Sequence, residues 1–135
     1  MNAIQSFGPL VARVLLGLIF VWAGFGKVTG FAAATGYIAS KGLPLPEVLA
    51  VAAIVLELGG GVLLVLGWQA RWAALGLAFV CLFTAVFFHN FWAVPADQVR
   101  NQAIHFLKNL AILGGMLLLV IQGAGRLSLG HDNDR

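Results

Sequence analysis

Charge is scarce in this sequence. Asp, Glu, Lys and Arg together make up 10% of the 135 residues, where an ordinary soluble domain carries about 25%. That shortage excludes a water-soluble protein. Small domains bury the smaller share of their chain. With 61% hydrophobic residues and a mean hydropathy of +0.96, there is too much apolar surface to hide. The solvent is lipid, and the bilayer is the first partner. Runs of basic residues are lacking too. The net charge is +3, but the eight Lys and Arg are scattered singly. No nucleic-acid partner is expected, and these cations read as loop charges, headgroup contacts and site residues. Cysteine is used once, at Cys81 within an apolar stretch. One thiol forms neither an internal disulfide nor a CxxC pair, which counts against thiol–disulfide exchange and leaves Cys81 as a small buried hydrophobe. GxGxxG, Walker, GxSxG and HExxH motifs are all absent. No basic residue precedes Arg13, so the first apolar run reads as an uncleaved anchor rather than a signal peptide.

What the chain does have is four apolar segments, at about 9–28, 48–66, 72–92 and 103–122. Each is about 20 residues long, enough to cross ~30 Å of hydrocarbon at 1.5 Å per residue. Pro9 suits the start of the first helix, and Pro44 and Pro46 precede the second. Trp68, Trp72 and Trp92 mark segment ends, where interfacial tryptophans belong. The expected fold is all-α: one polytopic membrane domain over 1–135, an antiparallel bundle of four transmembrane helices. The stretch Phe31–Lys41 reads equally as a short interfacial helix or a plain loop. The tail from Gly123 reads as frayed, with His131 in water. Gly59-Gly60-Gly61 and Gly114-Gly115 mark close helix contacts.

An even number of spans puts both termini on one side. Arg13, Arg71, Arg126 and Arg135 lie toward that side, and Lys27, Lys41, Arg100 and Lys108 toward the other. Setting aside Arg13, Lys27 and Lys108, which fall within or at the edges of spans, leaves three against two for cytoplasmic termini.

Polar residues inside spans carry the functional information, because intramembrane ionisable groups face a partner or a cavity. Glu57 is the sharpest, ~14 Å in from the edge bearing the longer loops. Its best partner by depth is Lys108, ~6 Å away along the axis, with Lys27 next. Lys27, His89 and His105 lie within ~5 Å of that edge, and Lys108 and Asn109 ~8–9 Å in. Arg13, alone near the other edge, is expected to snorkel to headgroups. His89 and His105 sit at matching depth on consecutive spans. Neither has a second ligand three or four residues on, which counts against haem or a metal. A hydrogen bond to a quinone carbonyl fits them at least as well.

The motifs Trp22-Ala-Gly-Phe-Gly-Lys27, Gly42-Leu-Pro44, Glu57-Leu-Gly-Gly-Gly61, His89-Asn90-Phe91-Trp92, Gln102 through Asn109 and Gly125-Arg-Leu-Ser-Leu129 together resemble the DoxX family of small bacterial membrane proteins. The resemblance covers nearly the whole chain. It implies a four-helix, multi-pass protein of the bacterial inner membrane and a component of an oxidoreductase system. The related DoxD type is linked to quinone reduction by thiosulfate. Carried over residue by residue, it places Lys27, Glu57, His89, Asn90, Lys108 and Asn109 in the polar core. With His105, these form the candidate pocket, for a quinone or a similar small ligand. A homo-oligomer or a redox-enzyme partner is compatible with this reading. A proton-coupled transporter working through Glu57, or a scaffold for soluble enzymes, are the rival functions.

Overall fold

The computed structural model describes residues 2–130. Five helices organise it: α1 (Ala3–Thr29), α2 (Phe31–Ser40), α3 (Pro46–Leu66), α4 (Ala70–Phe88) and α5 (Ala96–Gln122). No strand occurs among the described residues. All but α2 belong to spans long and apolar enough to cross a membrane. In sequence order each span packs against the next, and α5 returns to touch α1, which gives the expected up-down bundle. The lipid-facing surface keeps its apolar side chains uncovered, Trp22, Trp72, Phe79 and Ile121 among them.

Two spans begin more than a helical turn earlier than hydropathy suggested. α1 starts at Ala3 because Asn2 and Gln5 form a reciprocal capping box: the Asn2 side chain accepts from Gln5 N at 3.0 Å, and Asn2 N donates to Gln5 Oε1. Pro9 therefore lies inside the helix, not at its start. α5 starts at Ala96, before its apolar run, with Pro95 as N-cap. Its first two turns, Ala96 to Gln102, are mostly polar, so hydropathy alone misses them. The Phe31–Lys41 stretch forms a ten-residue helix, α2, packed on the first half of α3. In α3 the regular winding is interrupted by a π-helical turn, Val55–Gly59, with Glu57 at its centre.

α1 and α3 approach closely at Gly24. A Cβ there would stand 2.6 Å from Leu58 N and 2.7 Å from Leu58 Cβ. Contact this tight is how helices associate in lipid, where the hydrophobic effect does not drive them together. Gly61 is part of the same seam, but Gly59 and Gly114 face open space, so only some of the expected glycine contacts exist. Gly24→Val is expected to push the two helices apart, at a cost of about 1–3 kcal/mol. Thermal unfolding in detergent should show it, and an unchanged midpoint would mean the seam yields freely.

Arg13 does not snorkel. It is 2% exposed, and its guanidinium donates to Val65 O at 3.3 Å and to the carbonyls of Ala124 and Leu127. The tail is accordingly ordered through Gly130 rather than frayed. Leu129 N donates to Leu66 O at 3.0 Å and Gly130 N to Gly67 O at 3.2 Å. His131 lies outside the described residues. Gly67 ends α3 in a Schellman turn: φ is +72°, Trp68 N bonds Leu63 O, and Gly67 N bonds Leu64 O. A side chain at Gly67 would also collide with Ser128 and with the Arg13 guanidinium.

Candidate functional site

α2 covers a cavity of about 390 Å³ between the ends of α1, α3 and α4. Its walls are mostly apolar: Tyr37 and Ile38 from α2, Leu49 and Leu56 from α3, Phe79, Phe83 and Phe88 from α4. The polar atoms are few. Lys27 and Glu57 form an ion pair at one side, Nζ to Oε2 2.7 Å. Tyr37, Thr84 and His89 contribute the others. Tyr37 and Phe88 meet at a ring-centroid distance of 5.4 Å, which ties α2 to α4, and Lys41 Nζ lies 5.5 Å from the Tyr37 ring centre.

Each polar group is held by local structure. The π turn places Glu57 where its side chain is only 6% exposed. π turns of this kind recur at functional sites because they reorient a side chain within an otherwise regular helix. Lys27, in the last turn of α1, is the neutralising partner, and its side chain keeps 29% exposure. This differs from the expected pairing with Lys108. An axial depth estimate assumes regular winding and says nothing about which face a side chain takes. Lys108 is on the exposed face of α5, away from the cavity.

His89 follows the last residue of α4, where its N–H bonds Thr84 O. Its Nδ1 lies 2.9 Å from Gln102 Oε1, and its ring stacks on His105 at 5.0 Å and 24°. His105 thus stands directly behind His89. Asn109 also acts from behind the wall: its Nδ2 donates to Thr84 Oγ1 at 3.1 Å, and that hydroxyl donates to Val80 O at 2.8 Å. Asn90 Oδ1 is buried with no hydrogen-bond partner among the described residues. Of the seven residues expected to form the pocket, Lys27, Glu57 and His89 line the cavity. His105 and Asn109 touch its lining residues, Asn90 follows His89 in the chain, and Lys108 is elsewhere.

Sequence reasoning missed the aromatic wall. Phe83 and Phe88 look like any lipid-facing phenylalanines, and only the position of α2 encloses them. It also missed Gln102 and Thr84 as partners. Among the described residues, no three His, Cys, Asp or Glu side chains are grouped to hold a metal.

Four apolar spans, a lipid-exposed surface and a small cavity define a multi-pass membrane protein with no soluble domain among the described residues. The chain belongs to the DoxX family, whose model matches residues 8–90. It is 42% identical over 120 residues to inner membrane protein YphA of Escherichia coli (strain K12), covering 89% of this chain and 86% of that one. Inner membrane protein YqjF of the same organism is 39% identical over 132 residues, 96% and 94% of the two chains. The ER-derived vesicles protein ERV29 of Saccharomyces cerevisiae matches at 29% over 76 residues, 56% of this chain and 24% of the relative. No solved structure matches the chain. The protein is an integral inner-membrane protein.

Proposed function

We propose that the cavity under α2 binds a lipophilic carbonyl compound of the quinone class, and that the chain is the membrane component of an oxidoreductase system, with both termini cytoplasmic. The observation that carries this reading is the cavity's composition: about 390 Å³ of aromatic and aliphatic wall, with polar side chains confined to Lys27, Tyr37, Glu57, Thr84 and His89. A quinone ring needs a dry slot for its faces and a donor for its oxygens. Lys27 and His89 are suited to hydrogen-bond carbonyl oxygens. Reduction to the quinol takes two electrons and two protons. The electrons would come from a partner dehydrogenase. The protons would pass through the stacked His89–His105 pair on one side and the Lys27–Glu57 pair on the other.

The test is quinone retention. Protein purified in mild detergent is extracted with organic solvent, and the quinone is counted per chain. The wild type is expected to retain quinone near stoichiometry. Ala53→Phe, which puts a ring into the cavity, is expected to retain less than about a tenth as much, a loss of about 1.4 kcal/mol or more in binding. An empty wild type that also fails to bind added decylubiquinone overturns the proposal. Flux of a solute into liposomes that depends on Glu57 and a pH gradient, without electron transfer, would give the cavity to transport instead.

A further inference from the structure

α1 and α5 touch at Leu16 and Gly115 and leave exposed residues on both helices toward the α2 end. A Cβ added at Gly115 would stand 3.1 Å from Leu16 Cδ1, so this is a close contact. Toward the α2 end of the bundle, the Leu16 face of α1 continues through Ile19, Ala23 and Gly26, at spacings of three, four and three that keep one side of a helix. Ile19 is 50% exposed, and a Cβ at Gly26 would meet nothing within 4 Å. On α5 the Gly115 face continues through Lys108, Ile104 and Asn101, and all three are exposed. Two faces that touch at Leu16 and Gly115 therefore stand open above that contact. The result is a cleft that faces lipid, separate from the cavity under α2.

Lys108 is the unusual part of this cleft. It lies about 18 Å along α5 from Ala96, well inside the helix. Glu57, the one carboxylate at comparable depth, is taken by Lys27. Lys108 has no ion-pair partner among the described residues. A cation within a span is costly unless something neutralises it. Helical side chains lean toward the N-terminus, so on α5 the Lys108 ammonium leans outward, toward the headgroup layer. Arg100, two turns nearer that layer, is exposed beside Asn101. Asp97 is on this face too, but about 16 Å further out than Lys108, at the helix start. The walls around Lys108 are apolar: Ile104 and Leu107 are exposed on α5 and Ile19 on α1. A deep cation, a second cation toward the surface and an apolar trough below them are complementary to one phosphate carrying acyl chains.

We propose that the α1–α5 cleft binds an anionic phospholipid, its phosphate held by Lys108 and Arg100 at the level of Ile104 and one acyl chain laid inward along Ile19 and Leu16. The site is independent of the quinone reading and survives its failure.

Native mass spectrometry of the detergent-purified protein, with phosphatidylglycerol or phosphatidylcholine added at equal concentration, tests it. The wild type is expected to retain one phosphatidylglycerol per chain at concentrations where phosphatidylcholine is not retained. Lys108→Gln is expected to bind phosphatidylglycerol about five- to tenfold more weakly, the effect of one basic residue at a lipid headgroup. Lys108→Arg should restore binding. The same titration followed by thermal unfolding should show a midpoint rise with phosphatidylglycerol that Lys108→Gln loses. Equal retention of the two lipids by the wild type overturns the proposal, even if no variant can be purified. So does full phosphatidylglycerol binding by a folded Lys108→Gln. A doubled mass that Lys108→Gln abolishes would assign the cleft to a second copy of the chain, and would also overturn it.

Discussion

Arg13→Ala is expected to release the C-terminal segment and lower stability by about 3 kcal/mol. The guanidinium is buried and serves three carbonyls, those of Val65, Ala124 and Leu127. Truncation leaves these acceptors unpaired in an apolar setting, and each unsatisfied group costs about 1–3 kcal/mol. Relief of the buried charge offsets part of that sum. For a chain this size, 3 kcal/mol corresponds to a fall of about 10 °C in the detergent unfolding midpoint. Residues after Gln122 should then become open to proteolysis while the helical circular dichroism persists. Arg13→Lys should recover only part of the loss, since an ammonium on a flexible stem cannot reproduce the guanidinium's planar fork. A tail that stays protected in Arg13→Ala would show that the backbone bonds at Leu129 and Gly130 hold it unaided.

The second large effect is expected at the ion pair. Lys27→Ala leaves Glu57 without its partner at a site where the carboxylate side chain is 6% exposed. Breaking a fully buried pair costs about 3–5 kcal/mol. Here about 2–3 kcal/mol is expected, because Lys27 is itself 29% exposed and its charge is partly solvated. Much of this is the penalty on the orphaned carboxylate. Removing it as well, in Lys27→Leu/Glu57→Leu, should restore stability to near the wild type, while quinone retention stays lost. That split between stability and binding is the signature of a pair kept for the cavity rather than for folding. If the double variant is as unstable as Lys27→Ala, the pair is structural. Glu57→Gln alone should be milder, since an amide in place of the carboxylate still accepts from Lys27.

Hydropathy was enough to find the four spans and the bundle, because in lipid the length of an apolar run is itself the structural constraint. Chain distance along each span also placed His89 and His105 at one level, and the two rings do stack. Three features were hidden for separate physical reasons. The partners of Arg13 are backbone carbonyls, which no side-chain pattern reports. The π turn at Val55–Gly59 has no marker residue, so the face on which Glu57 emerges could not be read and the wrong lysine ranked first. The aromatic wall depends on α2, a stretch whose composition fits loop and helix equally until it packs on α3. The Asn2–Gln5 capping box starts α1 ahead of its apolar run, and the placement of Pro9 at the helix start missed it.

The π turn has a consequence for the whole of α3. One extra residue in a helical turn advances everything beyond it by about 100° of rotation. The first half of α3, Pro46 to Ile54, and the second half, Gly60 to Leu66, are therefore out of phase with one another. A single helix can in this way show one side to α2 and the cavity above, and a different side to α1 along the Gly24 and Gly61 seam below. Deleting one residue from the turn would bring the halves into step. It would also swing one of those two faces out into lipid, so the span's two attachments can be kept together only while the irregularity lasts.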